Sequence, residues 1–138
     1  MTETPNEMRN IRVWTNGCFD ILHIGHIEML KYASSLGHTL VVGLDTDEKV
    51  RRDKGKTRPI NTLSDRVEMM SSIRYVDEVV SFASPMELED KIRIYDPDFI
   101  VVGSDYMKKP VVGSQYCREV KYFDRVGNFS TSNILGEE

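Results

Sequence analysis

Two histidines three residues apart, His23 and His26, stand in the run Thr15-Asn16-Gly17-Cys18-Phe19-Asp20-Ile21-Leu22-His23-Ile24-Gly25-His26. Imidazoles at that spacing suit phosphate, because each ring offers a donor whose hydrogen bond strengthens as negative charge builds in a transition state. Gly17 and Gly25 let backbone or ligand come close. Before the run lies the β-prone stretch Ile11-Arg12-Val13-Trp14. After it, Ile24, Ile27, Met29, Leu30, Ala33 and Leu36 recur at roughly helical spacing and end at Gly37. The pair therefore falls in a strand-to-helix turn and on the first helical turn, where free backbone N–H groups and the helix dipole favour anions. A lone histidine at a helix start is more often a cap or a packing residue. Two of them around a glycine point to a nucleoside triphosphate.

A second cluster is cationic. Lys49, Arg51, Arg52, Lys54, Lys56 and Arg58 face Asp53 alone, a local +5 within a chain of net charge −4. Such a run is ordinarily a solvated face. Beside a triphosphate site it would attract and neutralise the phosphates of two substrates. The overall negative charge argues against nucleic acid as a partner.

These residues need a frame to position them. Extended segments are predicted at Ile11 to Thr15, Thr39 to Leu44, Glu78 to Phe82, Phe99 to Val102 and Val120 to Phe123. Helices are predicted from the histidine turn to Leu36, at Ser64 to Ile73, at Met86 to Tyr95 and, short and terminal, at Ser130 to Leu135. The alternation predicts an α/β fold, a parallel sheet with helices on both faces. His38 to Leu44 and Asp98 to Gly103 are near-continuous apolar runs, as expected of central strands buried on both sides. Functional groups should then lie at the strands' carboxyl ends. Thr62-Leu63-Ser64-Asp65 reads as a helix cap and Asp96-Pro97 as a helix stop. The stretch from Asp45 to Asn61 shows no clear periodicity, contains Gly55 and Pro59 and is longer than a typical connection, which suits a mobile active-site lid.

With 138 residues the chain has room for one domain, expected over 11–138 behind a loose, polar arm at 1–10. No apolar run approaches the roughly 20 residues of a membrane span, and the opening lacks the apolar stretch of a secretion signal, so a cytoplasmic protein with no membrane insertion is expected. Cys18 and Cys117 have no Cys-x-x-Cys spacing or histidine partners, which disfavours a zinc site or disulfide framework, and no metal-ligating set is expected. Both thiols read as packing residues. Gly-x-Ser-x-Gly, His-Glu-x-x-His and Walker motifs are absent, which removes support from hydrolase, zinc protease and P-loop readings.

The His-x-Gly-His following a Gly-x-Phe-Asp turn resembles the signature of the cytidylyltransferase-like nucleotidyltransferases. The similarity extends through Lys54 to Asn61, Arg66, Tyr75 to Phe82, Val102 to Tyr106 and Phe129 to Ile134, and covers about residues 11 to 135. These blocks look most like the adenylyltransferase domain that activates heptose phosphate for bacterial surface polysaccharide, and next most like glycerol-3-phosphate cytidylyltransferase. The resemblance implies a Rossmann-like fold of the HxGH type and a nucleotidyl transfer releasing pyrophosphate, with Mg2+ carried by the nucleotide and a homodimer as the assembly. It implies catalytic roles for His23, His26 and Lys54. Nucleotide contacts fall to Asn16, Gly17, Cys18, Phe19, Asp20, Gly25, Gly103, Asp105, Ser130, Thr131 and Ser132. The phosphorylated acceptor falls to Lys56, Arg58, Arg66 and Arg74.

For Asp20 the residues allow two roles, ordering its turn by hydrogen bonds to backbone N–H groups or helping to hold the metal-bound nucleotide. Arg74 before Tyr75-Val76-Asp77 is similar to the cytidylyltransferase branch, whereas Asn16-Gly17, Lys54-Gly55 and Arg58-Pro59 are similar to the heptose branch. ATP with a heptose-type phosphate is the first expectation, and CTP with glycerol phosphate or a related alcohol phosphate the second. A non-catalytic nucleotide-binding protein is the alternative of another class, against which the full set of signature residues stands.

Overall fold

A computed structural model describes residues 10–124. Residues 1–9 of the arm expected at 1–10, the terminal helix and the Ser130-Thr131-Ser132 block lie outside the described residues. Five strands form one parallel sheet: β1 (Arg12–Gly17), β2 (Thr39–Asp45), β3 (Glu78–Phe82), β4 (Phe99–Gly103) and β5 (Glu119–Phe123), in the order β3-β2-β1-β4-β5. The helices are α1 (Ile24–Ser35), α2 (Asp47–Lys54), α3 (Leu63–Ser71) and α4 (Pro85–Tyr95).

The apolar strand runs are explained by burial on both faces. Successive residues of a strand point to opposite sides. Val13, Leu40, Val42, Leu44 and Val101 pack in a core with Leu30 and Ala33 of α1 and Met70 of α3. Their neighbours Trp14, Val41 and Ile100 pack with Leu88 and Ile92 of α4 in a second core on the other face. Gly43 is fixed by this second core, since a Cβ there would lie 2.8 Å from the Trp14 ring.

The chain runs outward from β1 to β2 and β3, then returns through α4 to β4 on the other side of β1. Such a reversal opens a crevice at the strands' carboxyl ends. Along it, the β1–β4 register runs through Val13↔Phe99 and Trp14↔Ile100, and one residue further the Thr15 hydroxyl donates to the Val101 carbonyl at 2.8 Å. A buried side chain thus joins the two strands at the crevice floor.

The stretch from Asp45 to Asn61, in which no periodicity is legible, contains a helix that the sequence reading did not predict, Asp47–Lys54. Every residue of α2 except the buried Val50 is charged, so it has no apolar stripe to read. Local electrostatics build it instead. The Thr46 hydroxyl caps the Lys49 N–H, Asp47 and Glu48 sit in the first turn, and Arg51, Arg52 and Lys54 sit in the last, each sign matched to the helix dipole.

Candidate active site

His23 is the N-cap of α1, and the two histidines hold each other through the backbone. The Gly25 N–H donates to His23 Nδ1 at 3.1 Å, and the His23 N–H donates to His26 Nδ1 at 3.3 Å. An Nδ1 that accepts a backbone N–H carries no proton, so in both rings the proton sits on Nε2. The rings stack with centroids 3.8 Å apart, and the Phe19 ring meets His26 edge-on at 5.1 Å. Phe19 has φ 48°, a left-handed conformation that costs energy in a bulky residue and collects at functional turns.

Asp20, in the same turn, is fully buried. Its carboxylate accepts from the Ile60 and Asn61 N–H groups, each at 2.8 Å, and pairs with Arg58 Nε at 3.0 Å. Burial alone would raise its pKa, but the Asn61 and Ile60 hydrogen bonds and the Arg58 guanidinium outweigh that and hold it below the ordinary carboxylate range. Arg66 makes a second clasp. It donates to the carbonyls of Cys18 (3.1 Å), Asp45 (2.8 Å) and Asn61 (3.0 Å) and pairs with Asp47 at 2.7 Å. Both ends of the segment that carries Lys54 are therefore fastened to the histidine turn.

A cavity of about 640 Å³ lies over the carboxyl ends of the strands. Of the sequence-expected residues it brings together Asn16, Gly17, Cys18, Phe19, His23, Gly25, His26, Lys54, Gly103 and Asp105. Gly103 makes room for Asp105, whose Oδ1 would lie 2.5 Å from a Cβ at that position. The expected substrate contacts fare differently. Arg58 and Arg66 are 3% and 1% exposed and stand behind the cavity wall, as Asp20 does, engaged with protein groups rather than open to a ligand. Lys56 and Arg74 are exposed and lie outside the lining, with Arg74 over the Tyr75 ring at 5.1 Å.

On the β2–β3 side of the cavity sequence reasoning missed Asp45, Phe82, Pro85 and Leu88, and it named Lys49 only as one cation of the charged run. Asp45 and Phe82 end their strands, which is the one signal that could have found them. Cys18 lines the cavity, but burial pushes its thiol up against the lowering effects of Lys54 and Arg66. Burial likewise raises Cys117. Neither is an activated nucleophile. Among the described residues no cluster of histidine, cysteine and carboxylate side chains has the makings of a metal site, and no helix is long and apolar enough to cross a membrane.

Compared with known proteins, residues 14–130 match the cytidylyltransferase-like family. The chain belongs to that family. This cytidylyltransferase-like protein is accordingly a nucleotidyltransferase, built on the Rossmann-like sheet described above. It is 50% identical over 125 residues to the bifunctional protein HldE of Helicobacter hepaticus, an alignment covering 89% of this chain and 25% of that protein. It is 48% identical over 125 residues to HldE of Campylobacter fetus subsp. fetus, covering 91% and 27%. The chain thus spans about a quarter of the length of these curated relatives. A lipopolysaccharide core biosynthesis protein from Thermoplasma volcanium shares the architecture with TM-score 0.67 and 26% identity, over 88% of this chain and all of that one. A pantothenate synthetase from Thermus thermophilus, 13% identical with TM-score 0.63 over 94% and 62% of the two chains, shares the fold alone.

Proposed function

We propose that this protein transfers the adenylyl group of ATP to the phosphate of a heptose-type sugar phosphate and releases pyrophosphate, with Mg2+ arriving on the nucleotide. The observation that carries this reading is the histidine pair. Two rings with their Nδ1 atoms tied to the backbone keep Nε2–H donors in residues that line the cavity at a helix N-terminus. An acceptor phosphate oxygen attacks the α-phosphorus, a new phosphorus–oxygen bond forms, and the bond to the β-phosphate oxygen breaks with its electron pair leaving on pyrophosphate. A phosphate monoester is ionised at neutral pH, with its second ionisation near pH 6, so no general base is needed. Lys54, which lines the same cavity, adds charge for the phosphates. The preference for ATP and a sugar phosphate is supported by the relation to HldE. Arg74, the residue that favoured the cytidylyltransferase branch, lies outside the cavity lining and gives that branch no support at the site.

The test is pyrophosphate release measured for four NTPs against a panel of phosphorylated sugars and polyols. Turnover is expected with ATP and an aldose phosphate and absent with the dephosphorylated parent. Preference for CTP with glycerol 3-phosphate, or robust transfer to an unphosphorylated alcohol, would overturn the reading.

A further inference from the structure

Strand β1 joins a core residue to a cavity residue through one hydrogen bond. Successive residues of a strand alternate faces, so Trp14 and Asn16, two apart, lie on the same side of the sheet. Trp14 is 1% exposed and packs in the second core with Val41, Leu88, Ile92 and Ile100, whereas Asn16 is half-buried and lines the cavity. The indole Nε1–H donates to Asn16 Oδ1 at 2.9 Å.

That bond fixes which way round the amide sits. An indole nitrogen only donates, so the amide atom that meets it is the oxygen. Asn16 Nδ2 makes no hydrogen bond among the described residues, and its two N–H groups are what the side chain has left to offer a ligand. Without the indole the amide could turn over and set its carbonyl oxygen toward the cavity. The indole is itself held in place. Gly43 of β2 pairs with Asn16 in register, and a Cβ there would lie 2.8 Å from the Trp14 ring, so the ring lies close over the glycine. The Tyr95 ring is 6.0 Å from the indole, and the Tyr95 hydroxyl donates to the Thr39 carbonyl at 3.1 Å.

Satisfying a buried indole is the ordinary reason for such a bond, and a carbonyl inside the core would serve that end equally. Here the acceptor is instead a side chain on the cavity wall, directly before Gly17 and the histidine turn. The histidines keep Nε2–H donors there. An N–H pair on Asn16 has the same polarity, which suits phosphate oxygens, whereas a carbonyl oxygen would repel them. We propose that Trp14 is a positioning residue, whose indole locks the Asn16 amide so that Nδ2 donates to a phosphate oxygen of a bound substrate. The inference rests on the nucleotidyl-transfer reading, in which nucleotide and acceptor both carry phosphate.

The experiment is a double-mutant cycle in steady-state kinetics of the full chain, with ATP and the best sugar phosphate from the panel, for wild type, Trp14→Phe, Asn16→Ala and the two combined. Asn16→Ala is expected to lower kcat/KM roughly tenfold or more through loss of a charge-assisted bond, and Trp14→Phe about fivefold through loss of its orientation. In the Asn16→Ala background, Trp14→Phe should change kcat/KM by less than about twofold, because no amide remains to be oriented. A rise confined to KM for ATP places the contact on the nucleotide, one confined to KM for the sugar phosphate places it on the acceptor, and a fall in kcat places it on the phosphate being transferred. Wild-type kinetics in Trp14→Phe, or the same loss in both backgrounds, would reduce the bond to core packing and overturn the proposal while leaving the nucleotidyl-transfer reading intact. Absence of turnover in the wild type with every pair of substrates would instead overturn that reading, and the positioning role with it. Where a variant does not fold, wild-type NMR decides. A non-hydrolysable ATP analogue or mannose 1-phosphate should shift the Asn16 side-chain NH2 resonances, and no shift with either would overturn the proposal.

Discussion

Arg58 and Arg66 are buried, with their guanidiniums engaged by Asp20, Asp47 and backbone carbonyls, whereas Lys54 and Lys56 nearby in the chain are exposed and only Lys54 lines the cavity. Lys54, Lys56 and Arg58 belong to the stretch that reads as a phosphate-attracting flap, and Arg66, in the helix that follows it, reads as a further substrate contact. The fold divides them. Two hold the histidine turn to the α2 segment, and one of the exposed pair faces the site. The difference teaches that a run of like charge is not one functional unit. Each cation takes its role from the carboxylates and carbonyls that the sheet brings to it.

The sharpest way to break this comparison is to remove a buried cation. Arg66→Ala removes the ion-pair partner of Asp47, which keeps only the Leu63 N–H, and the donor to the Cys18, Asp45 and Asn61 carbonyls, and should destabilise the protein by about 3–5 kcal/mol. The melting temperature should fall on the order of 10 °C. A melting curve like that of the wild type would return Arg66 to the role of substrate contact.

His26→Ala tests the turn that these cations hold. Turnover should drop on the order of a hundredfold while ATP affinity changes less. Loss of the bond from the His23 N–H should cost only about 1 kcal/mol of stability. Near-normal turnover would remove the assigned role.

Among the exposed cations, Lys54→Ala should lower kcat roughly tenfold and Lys56→Ala by less than about twofold. Equal and small effects would make the whole exposed stretch a solvated surface. The smallest effect concerns pH. Asp20 has its pKa depressed in the folded state, so its contribution to stability is complete above the ordinary carboxylate range and is lost as pH falls through the depressed value. Denaturant titrations from pH 7 down to about pH 3 should show falling stability below about pH 4, and Asp20→Asn should flatten that slope. An unchanged slope in the variant would show that other carboxylates govern the acid limb.

Much of the frame was legible because it is written in local periodicity. Glu78–Phe82 was read residue for residue, and Thr62 and Ser84 cap α3 and α4 through their hydroxyls just before the predicted helices. The histidine turn was legible because its chemistry, strand, glycines and helix all lie within one short stretch of chain. Helix α2 was not, since a charged helix with a single buried residue carries no apolar period, although its cap and the order of its charges were there to read.

The sequence by itself determined the alternation of strands and helices, the family, and the histidine pair at a helix start, because each depends on neighbours a few residues apart. Only the tertiary structure decided which cations are clasps and which face the cavity. Asp20 meets Arg58 across 38 residues, and Arg66 meets Cys18 across 48. It also decided that Asp45, Lys49 and Phe82 share one wall, since parallel pairing sets Asp45 of β2 beside Phe82 of β3. Contacts of that range follow from strand order and burial, and no local pattern in the sequence encodes them.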